Sequence, residues 1–192
     1  MKVIGITGGI GSGKSIICSI IEKLGYPVFY SDTEAKRILV SNKEVKLELT
    51  NLIGPQLYKG EIFHKEVLAD KIFKDESIRL KVNQLIHPKV RESFNEWMIK
   101  QDSSLVFNEA AILFETGMYK QYDATILVTT PKSIRIKRTI KRDNTTAEAV
   151  LDRINNQWSD DEKKELADFV IINDDLTPVL PQIEKIIGKL NC

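Results

Sequence analysis

Residues 5–16 read GITGGIGSGKSI and hold five of the chain's ten glycines, with a lysine directly after the last of them. Before this stretch, Lys2-Val3-Ile4-Gly5-Ile6 is a short apolar run of the length of a buried strand. After it, Ile16 to Ile21 is again apolar, and Leu24-Gly25 supplies a helix stop. The glycines therefore lie between a strand and a helix, and Gly8-x-x-x-x-Gly13-Lys14-Ser15 has the spacing of a phosphate-binding loop. Glycine admits positive φ, so successive N–H groups of Gly8, Gly9, Ile10, Gly11, Ser12 and Gly13 can turn toward one anion. The following helix adds the partial positive charge of its N-terminus. Lys14 has the reach for β- and γ-phosphates, and the Ser15 hydroxyl suits Mg²⁺. A glycine-rich turn with no ligand is the bland alternative, and the full spacing in a strand–loop–helix context weighs against it. The motif calls for a nucleoside triphosphate and leaves the fate of its phosphate open.

A chain of 192 residues makes one α/β domain with room for a small inserted subdomain. The net charge of +1 offers no footprint for nucleic acid or a membrane surface. Cys18 lies in an apolar helix and Cys192 is the last residue, so neither a disulfide framework nor a zinc site is suggested. The apolar N-terminus is too short for a signal peptide, and no stretch approaches 18 apolar residues. The expectation is a cytoplasmic protein with no nucleic-acid or membrane partner.

Five apolar runs predict strands at residues 2–6, 26–30, 105–109, 124–129 and 168–172, with helical patterns between several of them. That alternation predicts a doubly wound parallel five-stranded sheet of the P-loop NTPase type. Residues 33–103 contain helical patterns and no convincing strand, which predicts a helical subdomain holding a second substrate; extra helices that merely cover the sheet are the plainer reading. A second helical region runs from Pro131 to about Leu166. Six of its residues 132–142 are basic, and Arg135, Arg138 and Arg142 share one helix face. Asp143-Asn144 breaks the pattern, and Thr145-x-x-Glu148 is placed to cap the next helix. This segment reads as a lid that carries arginines to transferring phosphates, against the alternative of a solvated cationic face. The expected division of the single domain 1–192 is a core (about 1–32, 104–131 and 167–192), a substrate subdomain (about 33–103) and a lid (about 132–166).

Ligands of doubly wound sheets gather at the carboxyl ends of strands. Asp32, at the end of the second strand, is placed to accept an acceptor hydroxyl's proton or to hold Mg²⁺ through water. A local alternative coexists with this: Ser31-x-x-Glu34 is a capping box, and Asp32 favours the same helix start. Asn108-Glu109 ends the third strand and Glu115 follows nearby; each glutamate is either an assistant to metal or acceptor, or a solvated loop residue. Pro88 disfavours helical geometry at His87 and opens a new helix, so His87 stands at a corner where it could donate to a phosphate or carbonyl. A structural role is the commoner one for a lone histidine. His64 has no supporting context, and Trp97 and Trp158 read as packing residues.

Taken together these segments resemble the dephospho-coenzyme A kinases, from residue 3 to about residue 175. The resemblance rests on Ile6 to Ser15, Ser31-Asp32 with Ala35, Leu85-Ile86-His87-Pro88, Ile112-Leu113-Phe114-Glu115, Lys137-Arg138-Thr139 with Arg142-Asp143, and Asn173. It implies ATP-dependent phosphorylation of the ribose 3′-hydroxyl of dephospho-coenzyme A, with Mg²⁺, in a monomer or weak homo-oligomer. Asp32 matches the expected base, Gly11 to Ile16 the ATP-holding stretch, and Arg138 and Arg142 the lid arginines. His87, Pro88 and Glu115 match acceptor-site segments, and Asn173 a loop near the adenine. The chain departs from the family's pattern at Ile16, where Thr is usual, at Tyr30-Ser31-Asp32, where Asp-Ala-Asp is common, and at Ala111-Ile112-Leu113, where Pro-Leu-Leu is common. The rival readings are another small-molecule P-loop kinase, which the long insertion and His87-Pro88 disfavour, and a slow nucleotide-dependent switch.

Overall fold

The first apolar run forms β1 (Lys2–Thr7), the central strand of a five-stranded sheet in the computed structural model of the chain, which describes residues 1–191. Cys192 lies outside the described residues. After the glycine loop the chain enters α1 (Lys14–Lys23) and then β2 (Val28–Tyr30). Next comes a helical insertion of α2 (Ser31–Ser41), α3 (Lys43–Ile53), a hairpin of β3 (Tyr58–Lys59) and β4 (Ile62–Phe63), α4 (Lys65–Lys74) and α5 (Glu76–Met98). The sheet resumes with β5 (Leu105–Glu109) and β6 (Ala124–Thr129). Then follow α6 (Lys132–Asp143), α7 (Ala147–Asn155) and the short α8 (Asp160–Lys164), before β7 (Phe169–Ile172) and α9 (Val179–Leu190). By contacts the chain forms two compact units: Met1–Tyr30 with the chain from Gln101 onward, and Ser31–Lys100.

In the first unit the strand order is β2-β5-β1-β6-β7 and every neighbouring pair is parallel. Both faces of such a sheet are covered, so the strands read as continuous apolar runs rather than alternating ones. Every second residue, Ile4 and Ile6, Leu105 and Phe107, Ile126 and Val128, joins a core with Ile17, Cys18 and Ile21 of α1 and Ile183, Ile186, Ile187 and Leu190 of α9. Gly5 shows how closely the other face is packed: a Cβ there would lie 2.7 Å from Leu113 and 3.2 Å from Tyr122. The outer rim of β7 is closed by the Gln182 side chain, which accepts from Ile172 N–H at 2.9 Å and donates to its carbonyl at 3.0 Å. The predicted strands all form, with ends moved by at most two residues.

The second unit packs the α5 stripe Val82, Ile86, Val90 and Phe94 among Ile38, Leu39, Val45, Leu49, Ile53, Leu57 and Leu68, all buried. Four local expectations change here and in α7. Pro88 does not open a new helix but sits inside the 23-residue α5. An interior proline costs about 3 kcal/mol; burial of the stripe on both sides of it offsets that, and Pro88 and Gln84, whose carbonyl loses its partner, are both exposed. Residues 33–103 do contain a strand pair, the two-residue β3 and β4, turned at Gly60 (φ 61°) and closed by Tyr58 against Phe63. The α7 cap is Thr146, not Thr145, with its hydroxyl accepting from Ala149 N–H at 3.3 Å. Glu34, expected in a capping box with Ser31, gives both carboxylate oxygens to Arg37; that pairing and a Ser93 hydrogen bond lower its pKa.

Candidate active site

The phosphate-binding stretch leaves β1 at Thr7 and enters α1 at Lys14. Gly11 (φ 76°) and Gly13 (φ 87°) occupy the left-handed region, which explains why glycine stands at both. Three of the loop carbonyls are held by side chains. Gly8 O accepts from Lys14 Nζ at 2.8 Å, and Ile10 O accepts from Arg135 Nε at 2.9 Å. Ser12 O accepts from the buried Asn173 Nδ2 at 2.8 Å and lies 2.9 Å from Thr130 Oγ1. Carbonyls held in this way are not free to turn toward a ligand, which leaves loop N–H groups and the start of α1, a combination that suits anions. Gly9 packs so tightly on Arg135 that a Cβ there would lie 2.0 Å from its guanidinium.

Lys14 Nζ also lies 3.8 Å from the buried Glu109 carboxylate at the end of β5. Burial, and then the nearby Glu109 charge, push the Cys18 thiol well above its ordinary pKa. Arg138 is aimed at the loop. Its Nη2 donates to Asn173 O at 3.3 Å and pairs with Asp175, while Nη1 is buried with no hydrogen-bond partner. A Cβ on Gly13 would lie 3.4 Å from that Nη1. The donor therefore faces the helix start where phosphate oxygens are expected.

The three arginines of α6 do not share one environment. The Arg135 side chain is 7% exposed and pairs with Asp160 at 3.2 Å. Arg142 is 61% exposed, and its guanidinium makes two hydrogen bonds to Asp143, at 2.7 and 3.0 Å. Those bonds, with help from Arg153, hold the Asp143 carboxyl at about 2. Neither glutamate near β5 is a solvated loop residue. Glu115 Oε1 pairs with the fully buried Lys163 at 2.7 Å and accepts from Trp158 N–H at 3.3 Å. Asn173, matched to the adenine loop, is one of the struts of the phosphate loop.

In the second unit Asp32 is exposed in the first turn of α2. His87 is half-buried in α5, and burial, then the Arg91 charge, lower its pKa, so it is neutral at pH 7. Ser15 and Ile16 are exposed at the start of α1. Among the described residues no group of three or more His, Cys, Asp or Glu is placed to hold a metal ion. A hydroxyl and single carboxylates fit Mg²⁺, a hard cation that takes many of its ligands from phosphate and water. Gln157, Lys163 and Thr130 escaped the sequence reading. Each acts through a contact dozens of residues away, and no local pattern marks them.

A parallel sheet in this order, with its glycine loop between the central strand and α1 and a basic helix after β6, defines a P-loop kinase. The family model for dephospho-CoA kinase matches residues 2–178. The chain belongs to the dephospho-CoA kinase family. It is 40% identical to the dephospho-CoA kinase of Bacteroides fragilis over 188 residues, covering 97% of this chain and 92% of that one. A crystal structure of a Thermus thermophilus protein superposes with a TM-score of 0.86 at 32% identity, over 99% of this chain and 96% of that one. The structure of a dephospho-CoA kinase from Campylobacter jejuni gives 0.70 at 26% identity, over 98% and 96%. No helix among the described residues is long and apolar enough to cross a membrane.

Proposed function

We propose that the chain transfers the γ-phosphoryl group of ATP to the ribose 3′-hydroxyl of dephospho-coenzyme A, giving coenzyme A and ADP, the last step of coenzyme A synthesis, in the cytoplasm. The acceptor oxygen forms the new P–O bond, the bond between the γ-phosphorus and its bridging oxygen breaks, and ADP leaves. The Asp32 carboxylate takes the hydroxyl proton. Family membership supports the reaction. The single structural observation behind the phosphate site is the holding of the Gly8, Ile10 and Ser12 carbonyls by Lys14, Arg135 and Asn173.

Gly8, Gly9 and Gly11 to Ile16 bind the triphosphate through backbone amides, Ile10 taking part through its place in the loop because its own N–H is given to Gln157, and Lys14 and Arg138 stabilise charge on the transferred group. Arg142 is proposed to join them from the end of α6. Ser15, with Asp32 through water, would hold Mg²⁺, which when bound neutralises phosphate charge. His87 and Pro88 are proposed for acceptor binding, and Glu115 for a supporting part there through the segment it anchors. Asn173 supports the nucleotide site by holding the Ser12 carbonyl. The test is ADP release from Mg-ATP with and without dephospho-coenzyme A, with the product identified by mass. Release that requires the acceptor and yields coenzyme A supports the reading; release indifferent to it overturns the reading.

A further inference from the structure

Ile10, at the crest of the phosphate loop, is gripped from both sides by residues more than a hundred positions away. Its N–H donates to Gln157 Oε1 at 2.9 Å, and its carbonyl accepts from Arg135 Nε at 2.9 Å. Neither gripping group is loose. Arg135 is held by Asp160 at 3.2 Å, and the face of Gly9 closes over its guanidinium. Gln157 stands in the turn between α7 and α8, and that turn is itself pinned. Ser159 and Glu162 form a reciprocal capping box at the start of α8. Trp158 N–H and the buried Lys163 ammonium both meet Glu115, at 3.3 and 2.7 Å. The two peptide groups flanking Ile10 are thus oriented by one side chain each, both from the helical segment after β6.

We infer that Gln157 is a positioning residue for nucleotide phosphate, acting with Arg135 as a two-sided clasp on Ile10. This rests on the reading of residues 8–15 as the ATP site. The physical reason is preorganisation. A glycine loop has many backbone states, and apparent affinity falls by the fraction of the loop in the competent one. Without the two bonds the Gly9–Ile10 and Ile10–Gly11 peptides could each turn among several orientations, including one that sets the Ile10 carbonyl oxygen toward the phosphates. The clasp removes that state before ATP arrives. It also assigns residues 157–164 to the fixed wall of the nucleotide site rather than to any moving lid, since the α8 turn is bonded to both the phosphate loop and the segment after β5.

The test is Gln157→Met, which keeps side-chain length and removes the acceptor oxygen at a half-buried position. Mg-ATP binding by calorimetry is expected to weaken about tenfold, while KM for dephospho-coenzyme A and the melting temperature stay near the wild-type values. In the double variant with Arg135→Lys, the loss in ATP affinity is expected to fall short of the product of the two single losses, because both act on the backbone of one residue, Ile10. Unchanged ATP affinity in Gln157→Met overturns the clasp. So does a loss matched by a fall in melting temperature and in acceptor KM, or independent effects in the double variant. Wild-type protein that binds Mg-ATP yet leaves dephospho-coenzyme A unphosphorylated overturns the proposed reaction and not the clasp; wild-type protein that fails to bind Mg-ATP overturns both.

Discussion

The two compact units differ in whether they take charge out of water. In the helical insertion the ion pairs are at the surface, between neighbouring turns or helices: Arg37 with Glu34, Lys74 with Asp70, Arg79 with Glu76, Lys89 with Glu44. The unit built on the sheet has exposed pairs too, such as Arg142 with Asp143 and Lys164 with Asp161, and in addition three buried ones: Lys14 with Glu109, Arg135 with Asp160, Lys163 with Glu115. Exposed pairs are screened and contribute little. Buried ones carry a desolvation cost that stability alone does not offset. Charge has therefore been taken out of water mainly where it orients a backbone group or faces a ligand. The insertion uses charge to stay solvated around an apolar stripe.

Asp32 is where this contrast should fail most visibly, because it is an exposed residue of the insertion with a proposed chemical role. Asp32→Asn is expected to lower kcat about 10³-fold with ATP binding little changed. A near-normal kcat would return Asp32 to its helix-start role. Within the sheet unit, Lys163→Met should cost about 3 kcal/mol in urea unfolding, because Glu115 is left buried without its cation. Replacing Glu115 by Leu in the same chain should recover part of that loss; no recovery would mean that packing of the lysine stem, and not the charge pair, was responsible.

The arginines of α6 sharpen the comparison on a single helix. Arg138→Ala is expected to lower kcat about 10²-fold. Arg142→Ala, at the exposed end, should lower it only about tenfold. Equal losses would mean that the exposure difference between the two does not govern their contribution, and an unaffected rate in Arg142→Ala would leave that residue as surface charge. The smallest effect belongs to the insertion's surface. Arg79→Ala should move the melting temperature by less than about 1 °C and leave both KM values unchanged.

Much of this architecture was legible along the chain because its signals are local. The glycine spacing, the apolar strand runs and the Asp143-Asn144 break, which ends α6 with Asn144 in the left-handed region (φ 49°), each depend on near neighbours. The resemblance added the reaction. What stayed hidden was set by distant partners. Proline at 88 speaks for a helix boundary, and only the burial of Val82, Ile86, Val90 and Phe94 as one stripe explains why α5 runs through it. The three arginines share a face by spacing, yet Arg135 is captured by Ile10 and Asp160 while Arg142 reaches solvent. The hairpin at residues 58–63 has strands of two residues, too short for any alternation to show.

Cys18 has a consequence for sulfur chemistry. The proposed acceptor and product both end in a thiol, and thiol–disulfide exchange needs a thiolate and access to it. Cys18 lies one turn into the helix that begins at the phosphate loop, buried, with its ionisation strongly suppressed. The enzyme can therefore work among coenzyme thiols and their disulfides without forming a mixed disulfide beneath its own nucleotide site.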